Sequence, residues 1–262
     1  MSKKIILTHA AIPANMNITP KKDDKGYYYV TLGAVGIPNS IGEIYLADGA
    51  VEQLASDQHP IGKYLKGGYL KGEANHPQFE GKVHTRESYF IRLQKIDLTK
   101  VSHHIRSVEL VSTTLADGTP AVLFKGWVKP AGPYGQYLEE SLNNPEENTA
   151  FSIRSIVDSF MMNGVSYRKF NMIITFDWIH KPGISVANKY SDAGIGVEDN
   201  GVFIDADQME YSKDEIMNII NSTIDVSSGN EDDGFDKEYN LKHVVNYEPI
   251  TAIDKIKNWG KV

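Results

Sequence analysis

The chain has 262 residues, 41% hydrophobic and 23% charged, with 14 Tyr and 9 Phe, a composition ordinary for a folded globular protein and well stocked with strand-forming residues. Its net charge is −7 and its Lys and Arg are scattered along the sequence, which leaves no electrostatic footprint for a phosphate backbone and argues against nucleic-acid specificity. Cysteine is absent, so disulfides, thiol nucleophiles and Cys-ligated zinc are excluded, and covalent catalysis has to use Ser, Thr, Lys or a carboxylate.

No apolar run approaches the ~20 residues that span a bilayer, and the start of the chain lacks the apolar core of a signal peptide, so a cytosolic location away from membranes is expected. One core domain over residues 1–190 with a C-terminal extension over 191–262 is the simplest organisation.

Taken in order, residues 27–32 read as a strand, with Gly33, Gly36 and Pro38 as punctuation that makes an opening strand pair. Ala50, Val51 and Leu54 have helical spacing behind Asp48 as a candidate N-cap, which predicts a short helix over 48–56. Pro60, Gly67 and Gly68 then read as a connection to Gly72. Three stretches, 87–96, 104–113 and 121–128, are rich in β-branched and aromatic residues and are predicted strands, with Asp117-Gly118 marking the turn between the last two. Tyr134, Tyr137, Leu138 and Leu142 form one helical face that stops at Asn143-Asn144-Pro145.

Residues 149–180 are two β-like runs about Asn163-Gly164, the dipeptide that favours a type I′ hairpin. Beyond 191 the pattern fades. An acidic linker is expected at about 225–240, around Glu231, Asp232 and Asp233, and it is flanked by short amphipathic pieces at 213–224 and 250–259. Each piece is too short to stand alone and is expected to dock on the core or on a partner. No internal repeat is present.

The hairpin carries the first chemical signal. With Met162 opposite Val165, a regular ladder puts Ser152 opposite Thr175 and Asp177 one diagonal step away, on the same face as Arg154. Phe151, Ile153, Val157, Phe170, Met172, Ile174, Phe176 and Trp178 then face the core together. A serine and a carboxylate about 7–8 Å apart on a diagonal leave room for a bridging imidazole. His103-His104 is not a chelating pair, because adjacent strand residues face opposite ways; one is expected buried and the other solvated.

The imidazole is suggested by Gly72-Glu73-Ala74-Asn75-His76-Pro77, which resembles the G-E-x-x-H-P motif of the prohead core protein proteases of large tailed phages. Ala150-Phe151-Ser152-Ile153-Arg154 is similar to the G-[IV]-S-S-R segment of that family, and Thr175-Phe176-Asp177 ahead of Pro182 to its T-F-D segment. The chain departs from the pattern at Ala150, where the family has Gly, and at Ile153, which leaves Ser152 as the one serine at the matched positions.

The resemblance covers roughly residues 40–185 and implies a β-rich α+β fold, an assemblin-like closed or partly closed β-barrel with a few peripheral helices. It implies a serine endopeptidase that cleaves scaffold and major capsid proteins, and its own chain, inside an assembling prohead in the host cytoplasm. Ser152 is then the nucleophile and His76 the general base. Asp177 is the orienting residue, with His180 in reserve because the herpesvirus relative uses a second histidine. Arg154 is placed to help stabilise the oxyanion and Glu73 to support the site, no metal or organic cofactor is needed, and a homo-oligomer is left open. Two other readings stand beside it: a catalytically inactive assemblin-like structural or scaffold protein of the capsid, and a β-rich binding module for carbohydrate or peptide.

Overall fold

The computed structural model describes residues 20–115, 117–189 and 209–226. In chain order the elements are β1 (Tyr28–Val35), β2 (Ile44–Tyr45), α1 (Ala50–Ala55), α2 (Pro60–Gly67), β3 (Lys71–Glu73) and α3 (Arg86–Gln94). They continue with a short 3-10 turn (Leu98–Lys100), β4 (Val101–Thr114), β5 (Pro120–Pro130), α4 (Gly135–Asn143), β6 (Ala150–Met162), β7 (Val165–Ile179) and α5 (Lys213–Val226).

One sheet has the order β1-β5-β4-β3 and the other β2-β7-β6. They join where β3 runs beside the end of β7: Thr175 Oγ1 donates to the Lys71 carbonyl at 2.6 Å, Asn75 N to the Trp178 carbonyl at 2.7 Å, and Ala74 bridges Trp178 in parallel. On the far side β1 lies against β6, so the sheets curl into the expected partly closed barrel. Its interior is filled by Leu32, Phe124, Phe151, Phe170 and Phe176 and capped by Ile61 of α2 and Leu138 and Leu142 of α4.

Three local expectations change. The stretch 87–96 is the helix α3 and not a strand. Thr85 caps it by accepting the Ser88 N–H at 3.1 Å, and Tyr89 and Phe90 are buried against different neighbours, so the aromatic run that reads as β is a helix with two packed sides. The connection after residue 59 contains α2, which has proline at its first position and left-handed Gly68 (φ +72°) just past its end. The N-cap of α1 is Gly49 and not Asp48.

A fourth change concerns register. Asn163 (φ +53°) and Gly164 (φ +78°) both adopt the left-handed backbone of a type I′ turn, and Met162 pairs with Val165 as expected. The ladder then slips twice, because Asn171 and Ile174 of β7 have no partner in β6. Two bulges, each adding one residue on β7, move Ser152 from Thr175 to a position directly opposite Asp177. They also turn Met172 and Ile174 out of the main core into a separate cluster with Phe90 and Ile219, while Ile173 takes the core position.

Gln53 of α1 secures the first bulge. Its buried side chain donates to the carbonyls of Phe170 and Asn171, both at 3.3 Å, and accepts from the Ile173 N–H at 2.7 Å, replacing bonds that the ladder has lost.

The amphipathic piece predicted at 213–224 is α5, docked on α3. Ile219 packs with Phe90, Tyr211 Oη donates to the Arg86 carbonyl at 2.6 Å, and Arg86 Nε meets Glu215 at 3.0 Å. The acidic linker and the piece at 250–259 lie outside the described residues. No helix among the described residues is long and apolar enough to cross a membrane.

Candidate active site

The segment that leaves β3 is laid along β7 by the bonds that join the two sheets. Asn75 adopts left-handed backbone (φ +65°), which turns the chain so that His76 comes back over β7. Asparagine is among the few non-glycine residues that tolerate this conformation readily. The Pro77 carbonyl, next in line, accepts from Tyr89 Oη of α3 at 2.9 Å and anchors the loop.

His76 Nδ1 donates to Asp177 Oδ2 at 2.7 Å. The same oxygen accepts from Arg154 Nε at 2.8 Å, and Oδ1 accepts from Arg154 Nη2 at 2.8 Å and from the Glu73 N–H at 2.9 Å. Asp177 is wholly buried, and burial alone would raise its pKa. The Arg154 guanidinium and the hydrogen bond from His76 outweigh that and hold the carboxyl below its usual range.

Arg154 has an acceptor for every nitrogen. Besides its fork on Asp177, its Nη1 reaches Glu73 Oε1 at 3.3 Å and the Lys95 carbonyl at 3.0 Å. This guanidinium, expected beside an oxyanion, is turned inward onto two carboxylates. Burial opposes its charge, but Asp177 and Glu73 more than compensate and its pKa rises. Glu73 is itself held by Arg92 of α3, with Nη2 at 2.5 Å from Oε2 and Nη1 at 3.1 Å from Oε1, and by the Asp97 N–H at 2.8 Å. Two carboxylates and two guanidinium groups therefore balance in a buried row that ends at His76.

Ser152 is half-buried and directly across the ladder from Asp177, so their Cβ atoms are about 5 Å apart and on one face. His76 and Ser152 thus flank the same carboxylate. Ser152 Oγ makes no hydrogen bond among the described residues. His180 is exposed just past the end of β7 and is not brought to Asp177. Among the described residues no cluster of three or more His, Asp and Glu is placed to hold a metal ion.

A profile of the Peptidase S80 family matches residues 11–243. The chain belongs to that family. This S80 peptidase is also 35% identical over 209 residues to the capsid maturation protease of Pseudomonas phage phiKZ, across 78% of this chain and 76% of the relative. No solved structure matches it. The resemblance to prohead proteases carried by Gly72, Glu73, His76 and Pro77 is therefore borne out at the level of the family.

Arg92 and Gln53 of the S80 peptidase lie in or beneath the site with no signal in the sequence to mark them, whereas His103, also beneath it, belongs to the pair expected to have one buried member. Arg92 sits in a stretch read as a strand, where its reach to Glu73 has no pattern to reveal it. His103 is the fully buried member of the His103-His104 pair, and His104 is the more solvated one.

Proposed function

We propose that this S80 peptidase is a serine endopeptidase that cleaves scaffold and major capsid proteins within an assembling prohead in the host cytoplasm, with its chemistry carried by residues 1–190. The observation that supports it most is the 2.7 Å bond from His76 Nδ1 to Asp177, directly across the ladder from Ser152.

In this reading Ser152 Oγ attacks the scissile carbonyl and His76 Nε2 takes its proton. The same nitrogen returns the proton to the leaving amine as the C–N bond breaks. Water, deprotonated by His76, then hydrolyses the ester and frees Ser152. Asp177 keeps the Nδ1–H tautomer in place. Because Arg154 shares its charge, orientation is the larger part of what Asp177 supplies. Arg154 and Glu73 are positioning residues, and the oxyanion is left to backbone N–H groups.

A fluorophosphonate probe tests the proposal. Wild type is expected to be labelled at Ser152. Ser152→Ala abolishes the label, and His76→Ala slows it by at least about a thousandfold, the scale on which triad members act. Labelling that survives in Ser152→Ala, or no labelling of folded wild type, overturns the proposal; the second outcome favours the inactive structural relative.

A further inference from the structure

Beneath Asp177, in the layer of Phe151, lies a second imidazole that the proposed chemistry does not use. His103 of β4 is wholly buried, pairs with Gly72 across the sheet, and meets the Phe151 ring edge-on at 5.4 Å. Its Nδ1 is 2.9 Å from Ser102 Oγ, and that hydroxyl is also 3.3 Å from the Gly72 carbonyl.

The other side of the ring faces β7 through a gap that only glycine leaves open. A Cβ on Gly72 would fall 2.1 Å from the Phe176 carbonyl oxygen, 2.3 Å from His103 Cε1 and 2.5 Å from His103 Nε2. The imidazole edge and the carbonyl of the residue before Asp177 therefore meet across a bare Cα. This gives a physical reason for the glycine that opens the Gly72-Glu73 segment.

The tautomer follows from the hydrogen bonds. If Ser102 Oγ donated to the Gly72 carbonyl, Nδ1 would carry the ring proton and Nε2 would present a buried lone pair to the lone pairs of Phe176. Nε2 has no aligned hydrogen-bond partner among the described residues, so that arrangement sets a buried acceptor against another acceptor. If Ser102 Oγ donates to Nδ1 across the shorter distance, Nε2–H faces the Phe176 carbonyl, an attractive contact that stops short of an aligned hydrogen bond. Burial keeps the ring neutral, pulling its pKa down to about 4 against the charge of Asp177.

We propose that His103 is a positioning residue whose Nε2–H fixes the Phe176 carbonyl, and with it the peptide from which Asp177 reaches His76. The proposal rests on Ser152, His76 and Asp177 being the catalytic group.

The test compares two replacements by the rate of fluorophosphonate labelling and by the low-field proton resonance of His76 Nδ1–H. His103→Phe fills the volume without a donor, whereas His103→Gln can place an N–H near the position of Nε2. His103→Phe is expected to slow labelling about 10- to 100-fold, the cost of a misplaced catalytic group, and to shift or broaden the resonance. His103→Gln is expected to restore most of both. A ring that merely filled space would give the reverse order, with Phe tolerated and Gln damaging, and that result overturns the proposal. Ser102→Ala leaves the ring and its packing in place and removes the hydroxyl that sets the tautomer. It is expected to slow labelling too, and a wild-type rate there also overturns the proposal. Ser152→Ala separates the two readings: if it still labels, the catalytic assignment fails; if it is silent while His103→Phe labels at the wild-type rate, only the role of His103 falls.

Discussion

Near its turn the β6–β7 hairpin is a plain ladder, unbroken from Met162 opposite Val165 to Val157 opposite Phe170, with Asp158, Ser159 and Met161 exposed to solvent. At the open end the same strands are kinked twice, and Thr175, Phe176 and Asp177 are wholly buried. The turn end is specified by two neighbouring residues with left-handed backbone. The open end is specified by Gln53 and His76, which reach β7 from more than a hundred residues away. A turn sets register only as far as the first bulge, and the alignment of Ser152 with Asp177 is decided by tertiary contacts.

Three substitutions probe that contrast. Arg154→Met has the largest expected effect, because it leaves Asp177 and Glu73 buried without the cation they share; breaking such a pair costs about 3–5 kcal/mol. Denaturant titration should show the loss, and labelling of Ser152 should slow in the fraction that stays folded. Gln53→Leu strands the Ile173 N–H and two carbonyls at the first bulge, for about 1–3 kcal/mol. Labelling should slow here as well, although residue 53 is on α1 and not in the constellation. Gly164→Ala forces a side chain into left-handed backbone at the turn and should cost about 1–2 kcal/mol with the labelling rate unchanged. Equal losses of labelling from the turn variant and from Gln53→Leu, at matched stability, would erase the distinction between the two ends.

The same contrast separates what could be read from the sequence from what could not. Asn163-Gly164, the apolar face of α4 and the amphipathic spacing of α5 are local signals, and each element stands where its signal puts it. The segment 72–77 was legible as chemistry by resemblance, and His76 does reach Asp177. The bulges at Asn171 and Ile174 were not legible, since a single Asn inside a strand-like run marks no bulge, Ile174 favours regular strand, and the bonds that stabilise the first bulge come from Gln53. The aromatic run Tyr89-Phe90-Ile91 reads as a strand because its residue types favour one. What decides for a helix is the cap at Thr85 together with two packed sides: Tyr89 bonded to Pro77, and Phe90 set against Ile219. Arg154 was placed on the right face beside Asp177, but its bond to Glu73 was not legible, because Glu73 lies in a different sheet.

The carboxylates of Asp177 and Glu73 are fully shut away from water, whereas the Arg86–Glu215 pair that helps to hold α5 is nearly half exposed on both sides. Mobile counterions can approach only the second. Rising ionic strength therefore weakens the anchor of α5 while leaving the electrostatics beneath His76 intact, so concentrated electrolyte acts on the periphery of this molecule and spares its centre.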